Sequence, residues 1–275
     1  MIWDLLKFKK NTANRKKEKL DNITIGIEGY VGSGKTSMCE KLLDLIPNSI
    51  LFHGGNLYRA IVYVFLKNNS KLKDIDLEKA EDKEKLAIEF SNVDIAKLME
   101  DENIEIKIVE RQTEFFVNGE KINDEEMQSK KISMAVSIIV GSADNRNFFI
   151  HIRKIIDDMK KEYSIILSGR LLMNIYPNLD YHFMITASIE ERAKRKALQY
   201  GVLNKEDVKK TYDELLESDK KEELEKIKYH IIDRDMYQGA AGLYDLSPKT
   251  ILLDFTDCKD ANESAKMVYE KIKSK

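Results

Sequence analysis

The sequence predicts an α/β fold, a doubly wound parallel sheet of five strands with helices on both faces. Five short apolar runs are separated by helical segments, which is the pattern of repeated strand–helix–strand units. Three of the runs are continuously apolar, as expected for strands that are covered on both faces. The five runs are residues 23–27, 49–52, 163–168, 181–186 and 250–255.

The turn after the first strand carries the strongest chemical signal. Residues 29–36, Gly-Tyr-Val-Gly-Ser-Gly-Lys-Thr, fit the phosphate-binding P-loop pattern G-x-x-x-x-G-K-[ST] and make the fold a P-loop NTPase type. A strand that enters a helix through such a turn aims backbone N–H groups and the positive helix end at one point. Lys35 would reach the β- and γ-phosphates, and the Thr36 hydroxyl would hold Mg²⁺. The other predicted phosphate ligands are Gly29, Gly32, Ser33, Gly34 and Ser37. The alternative is a glycine-rich turn that matches by chance.

The spacing of apolar residues changes twice in the middle of the chain. Residues 67–103 are highly charged, with apolar residues at helical intervals, and predict two amphipathic helices with a break at Ser91-Asn92. Residues 104–122 alternate and contain Asn118-Gly119, which predicts a small antiparallel hairpin inserted outside the main sheet. Residues 124–162 are again predicted to be helical. Further helices are predicted at 189–200, 205–232 and 261–272.

Composition limits the class of protein. The chain has 275 residues, 43% of them hydrophobic, and a formal net charge of −2, which gives no indication of nucleic-acid binding. Cys39 and Cys258 are the only cysteines, which argues against a disulfide framework or a zinc site and favours a cytoplasmic protein. We expect Cys39 to be a small core residue rather than a reactive thiol. No apolar run reaches the roughly 20 residues of a membrane span, and we expect a monomer.

The first 20 residues form a separate segment. A short apolar-aromatic stretch is followed by lysines and an arginine, without the long apolar core of a signal peptide. One interpretation is a weak anchor for an acidic partner or membrane. The other, which we favour, is a solvated arm ahead of the first strand.

Six segments, in order along the chain, resemble motifs of the cytidylate kinase family. The resemblance extends from Ile23 to about Ile272. Residues 55–60 are similar to G-A-x-Y-R-A, and residues 117–122 to the insertion hairpin of longer bacterial members. Residues 132–137 with 144–146 are similar to the V-S-x-x-A-S and V-R pair. Residues 168–170 with 176–180 resemble D-G-R-D-x-G-T-x-x-F-P-x-A, and 185–195 resemble the lid entry L-T-A-S-x-E-E-R-A-x-R. The sixth segment is the P-loop itself.

The resemblance implies an enzyme that transfers the γ-phosphoryl group of ATP, with Mg²⁺, to CMP or dCMP. It implies catalytic roles for Lys35 and Arg170 and donor-side lid cations at Arg192 and Arg195. The implied acceptor residues are Arg59, Ser137, Arg146, Arg170 and Asp235. The implied organisation is a basic arm (1–20), a core (21–66, 136–190 and 241–275), a helical and β-hairpin monophosphate-binding insertion (67–135) and a helical lid (191–240).

The chain departs from the family pattern mainly on the acceptor side. Ser168 and Leu171 occupy carboxylate positions, Gly54 replaces a serine or threonine, and Gln128 and Gln238 replace arginines, with Arg234 at a shifted position. These differences keep two alternatives open. One is a nucleotide-binding sensor or partner protein with little or no transfer, and the other is a kinase for a different small acceptor. A surface role remains the alternative for the arginines, with salt bridges at Arg59 and Arg170 and a solvated helix face at Arg192 and Arg195.

Overall fold

The computed structural model describes residues 21–141, 146–240 and 246–274. They form two compact units, the first containing residues 50–165 and 174–176, and the second containing 23–49, 166–173 and 177–274. The predicted N-terminal arm, residues 1–20, lies outside the described residues. The predicted boundaries between core, insertion and lid stay a prediction.

The five predicted strands are all present, together with the hairpin strands. The strands are β1 (Thr24–Gly29), β2 (Ser49–His53), β3 (Ile104–Val109), β4 (Gln112–Val117), β5 (Glu120–Lys121), β6 (Ser164–Ser168), β7 (Tyr181–Thr186) and β8 (Thr250–Asp254).

Helices lie between these strands along the chain, as the sequence predicts, but the predicted helical segment 205–232 is divided into separate helices. They are α1 (Lys35–Leu45), α2 (Gly54–Asn68), α3 (Ala80–Ser91), α4 (Ile95–Asp101), α5 (Asp124–Met127), α6 (Lys130–Gly141), α7 (Arg146–Lys160), α8 (Leu172–Ile175), α9 (Ile189–Gln199), α10 (Tyr212–Leu216), α11 (Lys221–Ala240) and α12 (Ala261–Lys273). Among the described residues, none of the helices combines the length and the apolar character that crossing a membrane requires.

The second unit contains a parallel sheet with strand order β6-β1-β7-β8. Ile27 on β1 lies opposite Phe183 on β7, which in turn lies opposite Ile251 on β8. Ile25, Ile27 and Phe183 are fully buried, because helices cover the strands, and α1 packs against α12. This sheet places the end of β1, and therefore the predicted P-loop, at the carboxyl edge where open α/β folds bind ligands.

Helices α9 and α11 also pack together in the second unit. Ala193 and Ala197 of α9 contribute to an apolar cluster with Leu224 and Ile231 of α11. Val31, from the turn between β1 and α1, belongs to the same cluster. The predicted lid entry is therefore packed directly against the predicted P-loop, and burial of these side chains at about 25 cal/mol per Å² holds the two segments together.

The hairpin in the first unit corrects the sequence prediction. β3 and β4 pair antiparallel, as predicted, but β4 also pairs in parallel with β2 through Leu51 and Gln112. The hairpin therefore extends the β-structure of β2 instead of standing apart as an insertion. The Asn118-Gly119 turn is confirmed between β4 and β5, with φ of 52° and 84°.

The main hairpin turn was not predicted. Glu110 and Arg111 connect β3 to β4 with φ of 48° and 65°. Positive φ at both turn positions is the requirement of the type I′ turn, one of the two turn types whose twist matches the flanking strands. Charged residues rarely adopt this conformation, so the sequence carries no local signal for the turn.

Candidate active site

The strand–turn–helix predicted for the P-loop is present. β1 ends at Gly29 and α1 begins at Lys35. Gly32 and Gly34 between them have φ of 78° and 87°, a left-handed region that glycine enters without steric cost. The first turn of α1 therefore presents its free N–H groups to one point, which is the arrangement that binds phosphate.

The side chains of the loop differ in exposure. Ser33 is buried, and its Oγ has no hydrogen-bond partner among the described residues. Thr36 and Ser37 are exposed at the start of α1. Lys35 is half-buried, and its Nζ donates a hydrogen bond to the Gly169 carbonyl at 3.2 Å. The loop thus holds an ammonium group and hydroxyl groups near its helix N-terminus.

The Gly169 carbonyl belongs to the loop that follows β6. Arg170, predicted to grip the acceptor phosphate, comes next and is half-buried. Leu171 has φ of 55°, an uncommon backbone conformation for a bulky side chain. The structure therefore brings the P-loop lysine and the Arg170 loop together at the carboxyl edge of the sheet.

Arg192 contacts the P-loop from α9. Its Nη1 donates to the Val31 carbonyl at 3.3 Å and to Asp235 Oδ2 at 2.5 Å, and its guanidinium lies 5.3 Å from the centroid of the Tyr30 ring. Arg192 is 8% exposed, which excludes the solvated helix face considered from sequence. Asp235, predicted to bind the acceptor, is the ion-pair partner of this arginine.

Arg195 makes a second contact from the same helix. Its Nη1 donates to the Ser33 carbonyl at 3.1 Å and its Nη2 to the Phe255 carbonyl at 2.7 Å. Both arginines thus bind backbone carbonyls of the turn and do not compete for its N–H groups. The structure gives these two residues a role in holding the loop conformation, and direct contact with a nucleotide stays a prediction.

Three predicted acceptor residues lie in the first unit. Arg59 is half-buried on α2, and α2 packs against α6, which carries Ser137. The Ser137 side chain is exposed and donates to the Ser133 carbonyl at 2.9 Å. Arg146 begins α7, and its side chain lies outside the described residues. The roles of these three residues in acceptor binding stay predictions.

A polar cleft of about 210 Å³ also opens in the first unit. It is lined in part by His53, Asn56 and Gln112. His53 Nε2 lies 3.1 Å from Gln112 Oε1, and Gln128 Nε2 donates to Asn56 Oδ1 at 3.3 Å. Among the predicted acceptor residues whose side chains the structure describes, none lines this cleft. Gln128, which replaces a family arginine, is thus hydrogen-bonded beside the start of α2.

The prediction for Cys39 is confirmed. Its side chain is fully buried on α1, and burial raises the pKa of the thiol to about 12 despite nearby Lys35 and a hydrogen bond with Ser168. A thiol that stays protonated is a poor nucleophile. Cys39 therefore fills the core behind the P-loop and takes no part in its chemistry.

Sequence reasoning missed that two polar residues lie close together in this region, although it predicted His182 to be a packed core residue. Glu28 and His182 are both buried on neighbouring strands, at 7% and 4% exposure. A signal was present, since a carboxylate inside an apolar strand needs a partner when it is buried. The identity of that partner required the structure.

The tight fit of the loop gives a ligand-binding prediction at Gly32. A Cβ at this position would lie 2.8 Å from the Arg192 carbonyl. We expect Gly32→Ala to weaken ATP binding at least tenfold, because left-handed strain of about 1–2 kcal/mol adds to a displaced Arg192. Gly201→Ala is the matched control, since Gly201 has φ of 75° with no atom within 4 Å of its Cβ position. Calorimetric titration with ATP measures the difference, and equal affinities for the two variants would contradict the contact argument.

The β1–turn–α1 geometry, with an ammonium group at the carboxyl edge of a parallel sheet, defines a P-loop phosphate-binding protein. The sequence model of the family described as cytidylate kinase matches residues 25–239. The chain belongs to the cytidylate kinase family.

Individual relatives agree with this assignment. The chain is 27% identical over 254 residues to a cytidylate kinase from Caldanaerobacter subterraneus subsp. tengcongensis, covering 91% of this chain and 95% of that protein. It is 31% identical over 198 residues to a cytidylate kinase from Mycoplasmopsis pulmonis, covering 72% and 76% of the two chains. A cytidylate kinase from Fusobacterium nucleatum subsp. nucleatum is 27% identical over 201 residues, with coverage of 72% and 78%.

Proposed function

We propose that this protein transfers the γ-phosphoryl group of ATP to a nucleoside monophosphate, with CMP or dCMP as the acceptor. The observation that carries the proposal is the hydrogen bond from Lys35 Nζ to the Gly169 carbonyl, 3.2 Å long. It joins the donor-binding P-loop to the loop that presents Arg170. Membership of the cytidylate kinase family and the names of the relatives support the choice of acceptor.

The donor half is supported by the geometry of the turn. Its backbone N–H groups would cradle the β-phosphate, and Ser33 Oγ, buried without a partner among the described residues, has hydrogen-bonding capacity to offer. Lys35 would neutralise the charge that develops between the β- and γ-phosphates in the transition state. Arg192 and Arg195 would keep the turn in its binding conformation through the Val31 and Ser33 carbonyls.

The proposal for acceptor binding depends on how arginine side chains bind phosphate. A planar guanidinium binds two phosphate oxygens at once, and Arg170 would hold the monophosphate this way. The family resemblance implies the same chemical role for Arg59. An acceptor phosphate oxygen would attack the γ-phosphorus in line while the bond to the β–γ bridging oxygen breaks and ADP leaves. A phosphate oxygen is already a competent nucleophile, so the reaction requires no general base.

The residues present fit a magnesium ion that is bound largely by the substrate. Thr36 offers an exposed hydroxyl, and the described residues contain no cluster of three or more His, Cys, Asp or Glu side chains. Mg²⁺ commonly takes few protein ligands and completes its shell with phosphate oxygens and water. When bound at Thr36, it would supply charge neutralisation for the nucleotide phosphates.

A turnover assay tests the proposal. ADP release is measured with ATP and each of CMP, dCMP, UMP, AMP and GMP, and we expect CMP or dCMP to give the highest kcat/KM. Calorimetry with ATP and CMP is run beside it. Tight ATP binding with no acceptor binding and no turnover would favour the sensor alternative. Turnover confined to another monophosphate would keep the enzyme class and change the acceptor.

A further inference from the structure

The buried carboxylate of Glu28 lies directly before the P-loop and contacts the loop that carries Arg170. Glu28 Oε1 accepts a hydrogen bond from the backbone N–H of Leu172. His182 Nε2 lies 3.5 Å from the same oxygen and has no hydrogen-bond partner among the described residues. The other ring nitrogen, Nδ1, lies 2.8 Å from Thr250 Oγ1, which fixes the imidazole on β7.

The Leu172 contact is one of three that fix the Arg170 loop within the second unit. Gly169 N donates to the Ile27 carbonyl at 3.3 Å, and the Gly169 carbonyl accepts from Lys35 Nζ at 3.2 Å. These two contacts hold the entry of the loop, whereas Glu28 holds its exit. Arg170 lies between the two anchors.

The conformation between the anchors is costly. Leu171 has φ of 55°, and a non-glycine residue in such a region is strained and persists only when its surroundings enforce it. A hydrogen bond to a charged acceptor is about twice as strong as a neutral one. A buried carboxylate at the exit therefore suits the task of enforcing this conformation.

We propose that Glu28 is a positioning residue for Arg170, and that it sets the affinity for the acceptor phosphate without contacting it. This inference rests on the proposed function. Without the Glu28 carboxylate, the Leu172 N–H loses its partner and the exit of the loop is released. Arg170 then leaves the position from which it grips the acceptor, and a displacement of about 1 Å can cost about 100-fold in rate. The backbone of the P-loop keeps its other contacts, so ATP binding is preserved.

Three substitutions test the role. We expect Glu28→Ala to raise the acceptor KM at least tenfold with the Kd for ATP within about twofold of the parent. Glu28→Gln retains an oxygen that can accept from Leu172 N, and we expect it to recover most of the affinity. Glu28→Asp keeps the charge but shortens the side chain by one methylene, so we expect an intermediate acceptor KM. If Glu28→Ala does not fold, the Glu28→Asp variant provides the test of the positioning role.

Asp180→Ala is the matched control. Asp180 accepts hydrogen bonds from Thr24 N and Oγ1 at 2.7 and 2.8 Å, at the opposite end of β1 from Glu28. We expect it to lower the Tm and leave the acceptor KM unchanged. An unchanged acceptor KM in both Glu28→Ala and Glu28→Asp would overturn the inference, and so would an equal rise in Asp180→Ala.

The measurements are kcat and KM for CMP at saturating ATP, with calorimetric Kd values for ATP and CMP, all on the full chain. Turnover by the parent with no effect of Glu28 rejects the positioning role and keeps the proposed function. CMP binding without turnover rejects the transfer reaction, and the Kd for CMP in the variants then decides the role of Glu28. A parent chain that binds no monophosphate rejects both.

Discussion

Replacing Lys35 by alanine should lower kcat by about 1,000-fold or more, the largest effect we expect from a single substitution. Removing one preorganised donor from a transition state costs about 100- to 1,000-fold, and in the proposed reaction Lys35 would supply a full charge at the γ-phosphoryl group. Its Nζ donates a hydrogen bond to the Gly169 carbonyl, and such a bond contributes only about 1 kcal/mol to stability. The Tm should therefore change little. ADP release under saturating ATP and CMP measures the loss.

Lys41 provides the control for this experiment. It lies exposed on α1, the same helix that begins at Lys35. Lys41→Ala should retain full turnover, because its ammonium group faces away from the core of the unit. A Lys35→Ala variant that keeps more than a tenth of the parent kcat would contradict the catalytic role.

The second large effect is expected at Asp235. Its carboxylate pairs with Arg192, and the two side chains are 15% and 9% exposed. Asp235→Ala would leave the guanidinium buried without its counter-charge, which costs about 3 kcal/mol of unfolding free energy. Urea unfolding measures this loss. Asp233→Ala, at an exposed position on the same helix, should be close to neutral.

The double variant separates the ion pair from acceptor binding. Replacing both partners with apolar residues, Arg192→Met with Asp235→Leu, should recover most of the stability lost in Asp235→Ala, because no buried charge is left. The alternative role for Asp235, predicted from the family pattern, gives a different result. Unchanged stability with a raised acceptor KM in Asp235→Ala would show that the carboxylate serves the acceptor instead.

Much of the fold was predictable because its signals are local. Apolar runs such as 163–168 and 181–186 become strands since their residues are buried on both faces of the sheet. The P-loop was predictable because positions such as Gly32 have a positive φ that glycine adopts without steric cost. The glycines in the sequence pattern therefore indicate the backbone geometry directly. Helices α3 and α4 follow from their apolar periodicity.

Other features depend on contacts between distant residues. The pairing of β4 with β2 joins Gln112 to Leu51, and nothing in either segment specifies that partner. The sequence also does not show which way the Arg192 and Arg195 side chains point. A helix with alternating charges can turn its arginines either to water or to backbone carbonyls. Glu28 was missed for the same reason, as its partner lies in the chain near Leu172.

The hairpin leaves a strand edge in the first unit at which a strand of another chain could pair. Within the first unit β3 is the outermost of the strands in the order β3-β4-β2, so one side of its backbone is left for another strand to pair with. Charged side chains lie along this edge strand. Glu105 and Lys107 form an ion pair at 2.9 Å, and the Lys107 ammonium lies 4.1 Å from the centroid of the Phe116 ring. A strand that added to this edge would strip water from these charged groups, and charged side chains are a common protection of exposed sheet edges. We therefore expect the charges on β3 to oppose intermolecular addition of a strand.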